Sequence, residues 1–310
     1  MRSTPPREFS LTCLQIRHRT SYRYREPVLL NPHRLMLRPR ERHDLRVVGS
    51  ELTITPDAVV TWSQDVAGNS VATATFQGKA ASLDVSCSTV VDLSARPWPI
   101  FDIAASAISF PFRYSPEEWT DLGALTGRQA ADPEGRLGAW ARGFVRSDPT
   151  DTLSLLKDLN VGVTAQVAYE TREQEGTQTP LETLDRAIGS CRDFAVLFAE
   201  AARSLGFGVR LVSGYLFDPY QALVGSRDAG TTHAWAEVYV PGAGWIAFDP
   251  TNRSVGGANL VPVAVVRDLN QARPVQGSFA GDPAAFEAMT VEVSVQAWDG
   301  APESAEVVRL

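Results

Sequence analysis

The chain is short of cysteine, lysine and histidine, and each shortage narrows what it can be. Three cysteines, Cys13, Cys87 and Cys191, lie far apart in 310 residues. An odd count without a CxxC pair argues against a disulfide framework and against a cysteine zinc site. Reduced thiols fit a reducing cytoplasm, which is the expected compartment. Lys79 and Lys157 are the only lysines, and 36 acidic residues outweigh 29 basic ones to a net charge of -7. With a sequence pI of about 5.2 there is no overall basic footprint, so no nucleic-acid partner is expected. Three of the four histidines, His18, His33 and His43, have no partner at metal-ligand spacing and read as surface or core-edge residues. No apolar run approaches the ~18 residues of a membrane span. The N-terminus carries Arg2 and Arg7 but no apolar leader core, so neither export nor a membrane partner is expected.

What is present is ordinary globular composition, 44% hydrophobic and 21% charged, at a length beyond what one core comfortably serves. Two domains are expected, at 10–100 and 101–310. In the first, Ile16, His18, Thr20, Tyr22 and Tyr24 alternate with Arg17, Arg19, Ser21, Arg23 and Arg25, the period of a half-buried strand. Segments 35–37, 52–55, 59–62, 71–76 and 83–91 repeat the theme. Between them lies turn chemistry at Asn31-Pro32, at Pro56-Asp57 and around Gly68. About six short strands in about eighty residues predict a β-sandwich-like domain. The arginines at 34, 38, 40, 42 and 46 and those of the first strand read as a solvated face.

Segment 94–115, with Pro97, Pro99 and Pro111, reads as a crossing between domains, after which helical periodicity takes over at 116–125, 133–146 and 153–167. Pro180 opens a short helix that is expected to stop at Gly189. Phe194, Ala195, Phe198, Ala201, Ala202 and Leu205 then form one apolar stripe of a buried helix. That places Cys191 in its first turn, where unpaired amides and the positive dipole end favour a thiolate. Ser190 or Asp193 caps this turn, and Asp193 reads as structural.

From His233 to Val240 the chain alternates as a strand, and Pro241, Gly242, Ala243 and Gly244 turn it back into 245–248. A hairpin of this kind brings Asp249 beside His233. The carboxylate can then hold the imidazole by one ring nitrogen while the other meets a thiol. Taken singly, Cys191 could be a buried apolar cysteine, His233 a satisfied strand histidine and Asp249 a turn former before Pro250. Jointly they are the equipment of nucleophilic acyl transfer.

The strings GSCRDFA, THAWAEVYVPGAGW and FDPTN, at Gly189 to Ala195, around His233 to Trp235 and around Asp249 to Thr251, resemble the core of the transglutaminase-like superfamily. The resemblance is to its bacterial group of cysteine-protease-like proteins with an added N-terminal β-domain. The 206–215 segment, the N-terminal strings HRTSYRY, LRPR and DVAGN, and VRDLNQARPVQG around Arg267 extend it over nearly the whole chain. Val266, where the family pattern has glycine, departs from it. The resemblance implies an α+β protein in which a β-sandwich-like domain precedes a papain-like transglutaminase core with C-terminal strands. It implies Cys191 as nucleophile, His233 as base and Asp249 as the residue that orients it, with no metal or organic cofactor. The partner is then a peptide or protein with a carboxamide or amide bond. Hydrolysis, as a peptidase or amidase, is the expected outcome; a transglutaminase with an amine acceptor and an inactive interaction module are the alternatives. The Cys191 amide is expected to be one oxyanion donor, with Tyr169 and Trp235 as side chains that could supply another. Tyr220 and Arg227, on the loop before His233, are expected to contact substrate.

Overall fold

Alternation in the first strand is realised over a long span. The computed structural model describes residues 12–172, 176–218 and 232–298. Thr12–Leu30 buries Leu14, Ile16, His18 and Thr20 and exposes Arg17 and Arg19. It pairs antiparallel with Lys79–Leu93, which pairs in turn with Leu45–Thr55. A second sheet contains His33–Leu35, Ser70–Phe76 and Ala58–Gln64. Leu30, Leu35, Leu37, Ala72, Ala74, Leu83 and Val85 join the two sheets in one apolar cluster, a sandwich. The two central strands, at 19 and 15 residues, are longer than the short strands expected, because they run past their own sandwich and pack Leu14, Ile16, Val91 and Leu93 against Tyr215, Val261 and Val263.

The arginine face is largely as expected. Arg19 and Arg23 reach Asp84 at 2.9 and 3.0 Å and Arg46 reaches Asp92 at 2.9 Å, all three guanidiniums about half exposed or more. Exposed pairs of this kind contribute at most about 1 kcal/mol each. Arg42 departs from the pattern by turning inward, 3.7 Å from Glu237. His18 and His33 are buried rather than superficial, while His43 is exposed.

The assignment of the C-terminal strands to a core spanning 101–310 needs correction. Phe286–Ala297 and Phe279–Ala280 pair with Thr12–Leu30, and Val275–Gln276 pairs with His33–Leu35. Without that return the first strand would present a long row of unpaired amides at a sheet edge. Nothing in the local pattern of 286–297 specifies which distant edge it will meet.

Among the described residues, five α-helices and a separate five-stranded antiparallel sheet make up most of the intervening part. The helices are α1 (Pro116–Leu122), α2 (Arg136–Arg142), α3 (Thr152–Gln166), α4 (Pro180–Arg186) and α5 (Cys191–Ser204). Helix α2 is shorter than the expected 133–146 because Gly135, left-handed at φ 67°, precedes it and Gly143 closes it. The sheet runs in the order Ser254–Val255, Gly244–Asp249, His233–Val240, Val209–Leu216, Leu260–Val266. On one face Phe194, Phe198 and Ala201 of α5 pack with Ala234, Ala236 and Val238, all buried. Each phenylalanine buried there contributes roughly 2–3 kcal/mol. On the other, Tyr215, Val261 and Val263 pack against Leu14, Ile16, Leu45 and Val91 of the N-terminal sheet. The sheet is thus held between a helix and the N-terminal strands. Its strands approach closely at Gly214, where a Cβ would lie 2.2 Å from the Val261 carbonyl oxygen and 2.7 Å from the Trp235 ring.

Candidate active site

A left-handed Ala187, at φ 54°, stops α4 before Gly189. The freed residues Ile188–Gly189 become a short strand parallel to Ala168–Tyr169, which delivers Ser190 as the cap of α5. Asp193, buried in the first turn, accepts from the Ser190 amide at 2.9 Å and the Ser190 hydroxyl at 2.8 Å. This fits the structural role expected of it. Cys191, 8% exposed, is the first residue of the helix. Its side chain therefore lies where the unpaired amides of the helix start point.

His233 opens its strand opposite Gly214. The hairpin register, with Ala236 facing Phe248, carries Asp249 alongside it. The His233 Nε2–H donates to Asp249 Oδ2 at 2.8 Å, and the Cys191 side chain lies close enough to act on the imidazole's charge. Since Nε2 is taken by the carboxylate, Nδ1 is the nitrogen left for the sulfur. Burial on its own would lower the His233 pKa, but the Asp249 charge and hydrogen bond, then the Cys191 contact, raise it instead. Burial likewise pushes Asp249 up, yet His233 and Asn252 hold it below the usual carboxylate range. The site is built to hold an imidazolium between two potential anions.

Asp249 is itself held by residues that the sequence reading did not single out. Its Oδ1 accepts from the Thr251 and Asn252 amides at 3.0 and 3.3 Å, and its Oδ2 from Asn252 Nδ2 at 2.8 Å. The signal was available in Asp249-Pro250-Thr251-Asn252, an Asx-type turn in which the carboxylate binds backbone amides just ahead of it. Trp235 is fully buried and stacks on His233, with ring centroids 6.1 Å apart and planes 26° from parallel. Among the described residues its indole Nε1 has no hydrogen-bond partner. Tyr169 is half-buried next to Gly189 and lies edge-on to Phe194 at 6.1 Å. Tyr220 and Arg227 fall outside the described residues. The structure therefore brings Cys191, His233 and Asp249 together, stacks Trp235 on His233 and sets Tyr169 beside the helix start. Among the described residues no cluster of three or more His, Cys, Asp or Glu side chains could hold a metal. No described helix is long and apolar enough to cross a membrane.

Residues 138–250 match the transglutaminase-like superfamily, and residues 14–92 match the bacterial transglutaminase-like N-terminal region. The chain belongs to the transglutaminase-like superfamily. This transglutaminase-like protein is 27% identical over 288 residues to an uncharacterized protein of Mycobacterium tuberculosis strain H37Rv, covering 85% of this chain and 86% of that one. An uncharacterized protein of Mycobacterium leprae is 35% identical over 114 residues, 37% of this chain and 40% of that protein. A crystal structure of a candidate cysteine protease from Cytophaga hutchinsonii shares the fold, with a TM-score of 0.71 at 19% identity over 94% of this chain and 93% of that one.

Proposed function

We propose that this transglutaminase-like protein is a thiol hydrolase, a peptidase or amidase that works through a thioester on Cys191. The observation that carries this reading is the buried His233, bonded to Asp249 at 2.8 Å and close to the Cys191 thiol at a helix start. The Cys191 thiolate attacks the carbonyl carbon of a carboxamide or peptide bond, and the carbonyl oxygen becomes an oxyanion. First-turn amides of α5, Cys191's among them, meet that charge. Trp235 is preferred to Tyr169 as the side-chain donor because its buried N–H lacks a partner. Collapse of the intermediate expels ammonia or an amine, which takes its proton from His233, and leaves the thioester. Water, deprotonated by His233, then attacks the thioester, releases the acid and restores the thiol. Asp249 stays ionised throughout and keeps the imidazole in one orientation. The partner in this reading is a peptide or protein amide, with no nucleic acid or membrane involved.

The test is incubation with a glutamine-containing peptide library, with and without hydroxylamine. Acid product with release of ammonia or amine is the expected result. Hydroxamate without appreciable acid would assign a transglutaminase that excludes water from its thioester. Neither product, across a broad library, would leave the core as an interaction module and overturn the enzymatic reading.

A further inference from the structure

The Asp193 carboxylate is 0% exposed and sits two residues beyond Cys191 in the same helical turn. Its Oδ1 accepts from the Gln178 amide at 2.7 Å and from Arg172 Nη2 at 3.1 Å. Its Oδ2 accepts from the Ser190 amide and hydroxyl and from Arg172 Nε at 3.2 Å. The guanidinium therefore grips the carboxylate as a fork, which is the strong geometry for such a pair. Arg172 is anchored again by Nη2 donating to the Gly176 carbonyl at 3.0 Å, while its own carbonyl accepts from Arg192 Nη2 at 3.0 Å.

A bare anion in this turn would repel a thiolate at Cys191 and consume the same dipole that favours it. With Arg172 in place the pair is neutral, and the helix start acts on the sulfur unopposed. We propose that Arg172 is a positioning residue for the nucleophile, neutralising Asp193 inside the turn that carries Cys191 and pinning the backbone at 176–178 to that turn. This rests on Cys191 being the attacking thiol. Among the described residues the charged groups around that thiol and this pair include His233 and the Asp249 bonded to it, Arg192 and Asp193 on α5 and Arg172 itself; Glu182 on α4 lies within reach of the Arg172 charge.

The experiment uses the full chain as parent, R172Q, R172K, D193N and R172Q/D193N. Iodoacetamide alkylation of Cys191 is followed by mass spectrometry at pH 6 and pH 9, alongside kcat/KM on a turned-over peptide and the thermal midpoint. R172Q should slow alkylation at pH 6 about tenfold and at pH 9 much less, because one unneutralised neighbouring charge acts on the thiolate. R172Q/D193N should regain most of the pH 6 rate even with a lower thermal midpoint, and R172K should fall between parent and R172Q. If Arg172 only holds the backbone, the double variant will be no faster than R172Q. That result, or R172Q alkylating like the parent at both pH values, overturns the proposal. Should R172Q fail to fold, D193N decides: a pH 6 rate at or above the parent's supports charge balance, and a slower one overturns it. A parent Cys191 that alkylates at pH 6 no faster than Cys13 would instead refute the nucleophile reading, whatever the variants do.

Discussion

The N-terminal sheet and the core each bury a histidine on a strand, close to a cysteine, and treat it in opposite ways. His18 is 1% exposed and bonds hydroxyls only, Tyr215 through Nδ1 and Thr20 through Nε2, each at 3.1 Å. Burial drives its pKa down to about 4. His233 is equally buried, but a carboxylate at 2.8 Å reverses the sign. Cys87 lies directly across from His18 in the strand register, yet its sulfur meets the hydroxyls of Thr89 and Ser50 at 3.5 and 3.9 Å. Burial pushes that thiol up. A cysteine beside a histidine is thus not enough to make a reactive pair. In the proposed mechanism the carboxylate behind the imidazole and the helix start beneath the sulfur make the difference. His18 serves instead as a joint, tying Thr12–Leu30 to Val209–Leu216 through the Tyr215 hydroxyl.

The sharpest way to break this contrast is to remove each cysteine in turn. Cys191→Ala should abolish turnover, by about 10⁶-fold, while Cys13→Ala and Cys87→Ala leave it intact. Iodoacetamide at mildly acidic pH should mark Cys191 alone, and equal labelling of all three would erase the distinction. Next in size, and smaller than loss of the nucleophile, Asp249→Asn should cost on the order of 10⁴-fold in kcat. It should also move the His233 titration downward in NMR spectra, toward the behaviour of His18; an unchanged titration would show that the carboxylate is not what separates them.

Acid should expose the cost of His18. Its folded pKa of about 4 lies below the unfolded value of 6.5, so the unfolded chain binds more protons between those limits. Stability is therefore full above pH 6.5, falls as pH drops toward 4 and levels off below, a loss of roughly 3 kcal/mol from this group. His33, also lowered by burial, adds a loss of the same sign. Urea midpoints measured across this range should show the slope, and His18→Gln should flatten it. The smallest effect is expected at the surface of the same strand, where Arg23→Ala should change stability by less than about 1 kcal/mol and turnover not at all.

The legible parts of the site were those decided by short-range pattern. The apolar stripe from Phe194 to Leu205 placed Cys191 at a helix start, and the turn at 241–244 placed Asp249 beside His233. The supports of Asp249 were within reach for the same reason, since Thr251 and Asn252 follow it directly. Arg172 was not, because its partner Asp193 lies 21 positions away, beyond α4, and no local periodicity links the two. The bond from His18 to Tyr215 spans 197 positions and that from Asn69 to Val265 spans 196. The pairing of Phe286–Ala297 with Thr12–Leu30 crosses nearly the whole chain.

By itself the sequence determined which residues alternate, which turn is tight, where the helix bearing Cys191 begins and therefore which three side chains could meet. Those features follow from local periodicity and capping, which need no knowledge of the rest of the chain. Only the tertiary structure decided that the C-terminal strand closes the first sheet, that this sheet covers the back of the histidine-bearing one, and that burial lowers the pKa of one buried histidine while a carboxylate raises that of the other. A strand's free edge and a buried group's partners are supplied by whatever the fold brings up against them, and that is a property of the packed whole.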